Sequence, residues 1–337
     1  MVGMLLRKKH GMQAVAAAIM LTLALGAFGC ANEKKDTAKS AKPTVGIVQV
    51  VEHKALDAAA KGIVDGLAAK GYKEGQNITF DRQNAQGDQS NLANIAHRFI
   101  TRKTDLICAI ATPAAQAMAH ATTDIPIVAT AVTDYTTAKL VQDPLKPGKN
   151  ITGTTDMNPV AKQLDLLLQL VPTAKTVGVL YCSSEVNSQL QVDILKKAAA
   201  AKNVKVQEAP VTTINDLLQS THSLVGKVDA IYVPTDNLIA SAMPTVAGIT
   251  QEAKIPVICG ESGPVKEGGL ATLGVDYYKL GFQSGEMAAD ILAGKAKPAD
   301  MPIQPQKDFK VLLNMKTAEK IGLKLPEALL KDAEIIK

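Results

Sequence analysis

The 337 residues are 47% apolar but only 3% aromatic, with no Trp, so the length suggests about two domains whose cores are built from Ala, Val, Leu and Ile. The formal charge of +5 falls to +2 once residues 1–29, which carry Arg7, Lys8, Lys9 and no acid, are set aside. A remainder so balanced, with no Lys/Arg cluster interleaved with aromatics, excludes a nucleic-acid-binding surface.

Arg7, Lys8, Lys9 and His10 form a basic flank, and Gly11 to Gly29 is apolar apart from Gln13 and Thr22. This pattern reads as a secretory signal peptide over 1–29. The run is also nearly long enough to span a bilayer, which leaves an uncleaved anchor as the alternative. Cys30 ends the run behind Ala27-Phe28-Gly29 and is followed by a polar tract. That arrangement resembles the lipobox of bacterial lipoproteins, although Ala27 stands where Leu is usual and Phe28 is bulky for its place. The resemblance implies lipidation of Cys30 and an extracytoplasmic, membrane-anchored chain. Residues 30–43 have no apolar period and read as a flexible tether.

Thr44 to Val51 is a near-continuous apolar run and predicts a buried strand. From Lys54 to Lys70 the period changes, with Leu56, Ala59, Ile63 and Leu67 on one helical face and Gly71 as the stop. The alternation continues with a strand over 77–81, a helix over 89–101, a strand over 105–111, a helix over 113–121 and a strand over 125–132. A second block follows. It comprises strands at 151–156, 176–181, 204–208, 230–233, 256–259 and 271–275, with helices at 159–170, 186–202, 213–226 and 237–253. Pro244 inside the last of these predicts a kink or a later start. A helix over 277–293, ended by Gly294, and a strand over 310–314 complete the pattern. The remaining cysteines, Cys108, Cys182 and Cys259, are widely spaced in or beside apolar runs and read as buried free thiols rather than a disulfide or metal framework.

Strands and helices alternating at this spacing predict an α/β fold with parallel sheets, arranged as two Rossmann-like lobes with one cleft between them. In such sheets ligands sit beyond the carboxyl ends of the strands, where helix N-termini also point. The residues after each strand are therefore the candidates. They are Glu52 and His53 after the first strand, and Thr112, Pro113 and Gln116 at a helix start whose free N–H groups suit a carboxylate. Thr133, Asp134 and Tyr135 follow the next strand, and Ser184, Asn187 and Ser188 open the second lobe's site. Thr235, Asp236, Asn237 and Glu261 complete the rim. Each alone is commonly a cap or a solvated turn, and it is their recurrence on one rim that points to a ligand. Asp134 and Asp236 are the acids expected nearest a bound ammonium group. His53 reads as a hydrogen-bonding rim residue, and Tyr135 and Tyr181 as walls for an apolar side chain. Tyr277 and Tyr278 fit either pocket or packing. No nucleophile elbow, Walker A, H-E-x-x-H or G-x-G-x-x-G motif is present, so no catalytic residue, metal site or cofactor is expected.

The stretches Val51-Glu52-His53, Ala111-Thr112-Pro113-Ala114-Ala115-Gln116-Ala117, Ala131-Val132-Thr133-Asp134, Gly153-Thr154-Thr155-Asp156, Glu185-Val186-Asn187-Ser188, Tyr232-Val233-Pro234-Thr235-Asp236-Asn237 and Gly274-Val275-Asp276-Tyr277-Tyr278 occur in this order. Through them the chain resembles the tryptophan/tyrosine-type substrate-binding proteins of ABC transporters. The resemblance implies the type I periplasmic-binding-protein fold with three crossovers. It places 44–152 with 276–300 in lobe 1 and 153–275 with 301–337 in lobe 2, and adds Asp276 to the site. It further implies hinge closure on a small solute, most readily an amino acid and often an aromatic one, and an ABC permease as partner. The alternative is a ligand-sensing receptor or regulator module of the same fold, not coupled to import. A LacI-type regulator would need an N-terminal helix-turn-helix and a basic surface, where this sequence has a signal segment and near-neutral charge.

Overall fold

A computed structural model describes residues 42–306 and 308–337; the expected signal segment, Cys30 and the expected tether up to Ala41 lie outside the described residues. The first block runs β1 (Thr44–Gln49), α1 (Lys54–Ala69), β2 (Thr79–Asn84), α2 (Gln89–Thr101), β3 (Leu106–Ile110), α3 (Thr112–Ala121), β4 (Ile127–Val132) and β5 (Ile151–Thr155). Continuous apolar runs make β3 and β4 wholly buried, as strands covered on both faces must be. Asp88 starts α2 by accepting from the Ser90 and Asn91 amides at 2.6 and 3.1 Å.

The second block continues through α4 (Val160–Leu170), β6 (Thr176–Cys182), α5 (Val186–Ala200), β7 (Lys205–Val211) and α6 (Leu217–Leu224). After β8 (Ala230–Val233) come α7 (Asn237–Ser241) and α8 (Met243–Glu252), with Pro244 in the first turn of α8. The expected helix over 237–253 is thus two helices, because proline is tolerated only where its missing N–H is not needed. Then follow β9 (Val257–Cys259), α9 (Ser262–Lys266), β10 (Ala271–Gly274), α10 (Tyr277–Leu292), β11 (Gln304–Pro305), β12 (Lys310–Asn314), α11 (Met315–Ile321), α12 (Glu327–Leu330) and β13 (Glu334–Ile336).

The strands form two sheets, ordered β11-β5-β4-β3-β1-β2 and β13-β12-β10-β9-β8-β6-β7. The first is parallel throughout. In the second, β12 runs antiparallel to β10. Each sheet has its topological switch point beside its first strand, between β1 and β3 and between β6 and β8, so both switch points lie at strand ends that carry polar residues. The first sheet reaches Thr155 and takes in Gln304–Pro305 as an edge, so the crossings fall later than the expected boundaries of 152/153 and 300/301. β5 stays with lobe 1 because it pairs with β4 from Ile127↔Ile151 to Val132↔Thr155, with a shift of register between Ala129 and Val132.

One apolar core fills lobe 1, and two lie on opposite faces of the second sheet. In lobe 1, α10 lies directly on α1. A Cβ on Gly62 would run into the Tyr278 carbonyl oxygen, and one on Gly281 into that of Ala59. These glycines let two backbones touch, and they lock together the two helices whose N-termini reach the cleft.

Candidate functional site

The lobes are closed on each other. Thr133 after β4 and Thr235 after β8 bring their hydroxyl oxygens within 3.2 Å, and Gln191 of α5 donates to Thr235 Oγ1. The start of α9 abuts the start of α1, where a Cβ on Gly263 would lie 3.2 Å from the Ala55 nitrogen. Lys54 and Glu267 face each other across the same seam at 3.7 Å, an exposed pair of small energetic weight.

Closure leaves a cavity of about 10 Å3, room for one water-sized group. Lobe 1 lines it with His53 and Leu56 of the α1 start, Ala131 and Thr133 of the β4 end, and Tyr277 of the α10 start. Lobe 2 contributes Asn187, Thr235, Asp236, Asn237 and Glu261, and Asp156 sits on the crossover after β5. Ala131 holds φ +56, and Ala111 at the end of β3 holds φ +83. Two alanines in left-handed backbone at neighbouring strand ends mark local strain of about 1–3 kcal/mol each, the kind retained where a site dictates geometry.

Among the described residues three carboxylates line this cavity, and no Lys or Arg does. Their hydrogen bonding separates them. Asp236 is saturated: Oδ2 accepts from the Cys182 amide at 2.6 Å and the Ser188 hydroxyl at 2.7 Å, and Oδ1 accepts from the Ile239 amide at 2.9 Å. It caps α7 and ties that helix to β6 and α5. Behind it, Glu185 accepts from Asn187 Nδ2 at 3.0 Å and from the amides of Asn237 and Leu238 at 3.2 and 3.3 Å. Burial, and next the nearby Asp236 charge, push the Glu185 carboxyl up to about 8. Asp156 and Glu261 are different. Tyr277 donates its hydroxyl to Asp156 Oδ2, but Asp156 Oδ1 and Glu261 Oε2 are buried with no partner. Burial lifts both carboxyls, Glu261 to about 8, and their mutual repulsion adds to the rise at Glu261.

Two more side chains in the cavity carry unpaired atoms. Asn187 spends its Nδ2 on Glu185 and on the Thr235 carbonyl at 2.8 Å, which fixes the amide orientation and leaves Oδ1 free. Both ring nitrogens of His53 are unpartnered, with Nδ1 at 3.8 Å from Glu261 Oε1. Desolvation holds the imidazole neutral by lowering its pKa to about 4.

Seven of the sequence candidates meet around this centre: His53, Thr133, Asn187, Thr235, Asp236, Asn237 and Glu261 line it, while Ser188 supports Asp236 from behind. The others fall elsewhere. Asp134 Oδ1 caps its own turn by accepting from the Thr137 amide at 2.6 Å, so it is not the cavity's ammonium partner. Tyr135 is core: its hydroxyl donates to the carbonyls of Ala129 and Thr154 at 2.9 and 3.1 Å, bracing β4 against β5 rather than walling the pocket. Gln116 is held by the Ala138 carbonyl. Glu52 and Ser184 are exposed, and Asp276 faces outward, capping α10 through the Lys279 amide. Pro113 is buried in the first turn of α3, and Thr112 beside it is buried with a hydroxyl that has no partner. Asp156 lines the cavity but is not among the sequence candidates, because the expected strand over 151–156 includes it, whereas β5 ends one residue before it.

A family model for ABC transporter substrate binding proteins matches residues 44–337. A "Tyrosine-binding protein" of Clostridioides difficile is 46% identical over 292 residues, 87% of this chain and 84% of that one. Among solved structures, an ABC domain in complex with L-Trp from Streptococcus pneumonia is 41% identical, covers 88% of this chain and 100% of that one, and superposes with a TM-score of 0.84. A ligand-free, open substrate-binding protein with adhesive properties from Clostridium difficile is 48% identical over 88% of this chain and 99% of that one, with a TM-score of 0.67. The lower score at higher identity accords with the closed lobes seen here. The architecture is that of type I periplasmic binding proteins, as expected from the strand pattern.

Proposed function

Because the chain belongs to the ABC transporter substrate-binding protein family, we propose that it captures an α-amino acid, tyrosine or tryptophan foremost, outside the cytoplasmic membrane for an ABC permease. The observation that carries the amino-acid reading is the pair of buried, unpartnered carboxylate oxygens on Asp156 and Glu261 in a cavity without a cation of its own. Buried polar groups require partners, and an ammonium group supplies one to both acids at once. The relatives named for tyrosine and for an L-Trp complex support an aromatic side chain. With about 10 Å3 enclosed, the rest of such a ligand is admitted only as the lobes part, and closure behind it excludes water. The unpaired Thr112 hydroxyl and the α3 start remain the proposed seat of the ligand carboxylate. The leader and Cys30 support an extracytoplasmic chain tethered by lipid at that cysteine.

Calorimetric titration of the protein with the common amino acids tests this reading. Saturable binding of tyrosine or tryptophan, weakened by Asp156→Asn, is expected. A flat response to every amino acid overturns it.

A further inference from the structure

Resting on that reading, we propose that the closed cleft selects primary ammonium ligands and rejects their N-methylated counterparts, because Asp156 Oδ1, Asn187 Oδ1 and Glu261 Oε2 form a three-acceptor seat for a group with three N–H donors. Each of the three residues is at least nine-tenths buried, each carries an unpartnered oxygen, and all three line the same water-sized space. They come from three separate parts of the chain: the crossover after β5, the first turn of α5 and the end of β9. No single turn or cap accounts for their convergence.

The count of donors carries the selectivity: an NH3+ group offers one N–H to each of the three oxygens. Methylation removes one N–H, which leaves one of the three buried oxygens without a donor. A site built to bond a donor discriminates strongly against an analogue that lacks it, since its own polar atom is stranded. The Asn187 oxygen cannot adapt by rotation, because its Nδ2 is held by Glu185 and the Thr235 carbonyl. The neutral His53 ring beside Glu261 adds no competing cation.

The test titrates the protein with L-tyrosine, tyramine, N-methyl-L-tyrosine and N-methyltyramine, and repeats the series with the tryptophan and tryptamine equivalents. Each primary compound that binds is expected to do so at least ~100-fold more tightly than its N-methyl partner. In Glu261→Gln the ratio is expected to narrow to under about tenfold, with both members weakened. N-methyl compounds binding within a factor of about ten of their parents in the unmodified protein overturn the inference and leave the amino-acid reading standing. Tyramine binding without tyrosine keeps the inference and overturns that reading. Binding by no member of either series overturns both.

Discussion

Thr133 of the first lobe and Thr235 of the second meet hydroxyl to hydroxyl at 3.2 Å, and Gln191 donates to Thr235 while lying 3.4 Å from Thr133. This bridge uses only the protein's own atoms, so it favours closure whether or not ligand is present. A buried hydrogen bond contributes about 0.5–1.5 kcal/mol net. Thr235→Val keeps the shape and removes the hydroxyl, so the closed-to-open ratio should fall roughly 2–10-fold. Small-angle scattering of the ligand-free protein should show a larger radius of gyration. Scattering identical to that of the parent would show that the bridge contributes nothing to closure.

The acids of the cavity divide by what already bonds them. Asp236 is held by three protein donors, so Asp236→Ala should lower the unfolding free energy by about 2–4 kcal/mol through the lost α7 cap and the freed Cys182 amide. Asp156→Asn and Glu261→Gln replace buried acids that lack a cation and whose ionisation burial opposes, and should leave ligand-free stability unchanged or higher. Their cost should appear in binding, at about 2–5 kcal/mol. Denaturant unfolding and calorimetry on the three variants separate these effects. An Asp236 variant with normal stability and abolished binding would reverse the assignment.

The same acids make ligand-free stability depend on pH. In the unfolded chain Glu261 and Glu185 release their protons near 4.5, whereas in the closed fold both hold them to about 8. Between those limits the folded chain binds more protons, so stability present below about 4.5 is lost as pH rises toward 8. His53 acts in the opposite sense: its pKa of about 4, against an ordinary 6.5, removes stability as pH falls from 6.5 to 4. The Glu261 share is on the order of 3–5 kcal/mol over its window. The melting temperature of the ligand-free protein should therefore decline from about pH 6.5 to 8, and Glu261→Gln should flatten that decline. An equal decline in the variant would remove Glu261 as its source.

What could be read in the sequence was whatever local chemistry controls. Helix 89–101 is bounded by its Asp88 cap and was legible to the residue, as was the strand over 230–233 with its apolar run. The strand expected over 77–81 starts before β2 because buried Ile78 carries the apolar signal, while β2 itself is a polar edge whose Asp81 pairs with Arg98 at 2.8 Å. Strand β7 runs past its expected end because its edge position tolerates Pro210. At the site, strand-end polarity found seven of the cavity residues. It did not separate the saturated Asp236 from the unpaired Asp156 and Glu261, because a carboxylate's free oxygens depend on donors brought in from β6, α5 and α7. That information is tertiary.

The seam between α9 and the start of α1 provides a way to alter closure without replacing an acid. A Cβ at Gly263 would lie 3.2 Å from the Ala55 nitrogen and 3.4 Å from both the Ala55 Cβ and Glu261 Oε2. Alanine there asks for a shift of a few tenths of an ångström, and Gly263→Ala should bind nearly as well as the parent. Valine brings two further methyl groups into the seam. Overpacking of that size costs about 1–3 kcal/mol in a core that cannot yield, but this contact lies between lobes and is relieved by parting them. The penalty should therefore fall on closure rather than folding. Gly263→Val should keep the parent's ligand-free melting temperature within a few degrees, scatter as a more open molecule, and bind ligand roughly 5–100-fold more weakly. A large drop in melting temperature with unchanged affinity would instead place Gly263 in the folding core of lobe 2 and leave the seam without a part in closure.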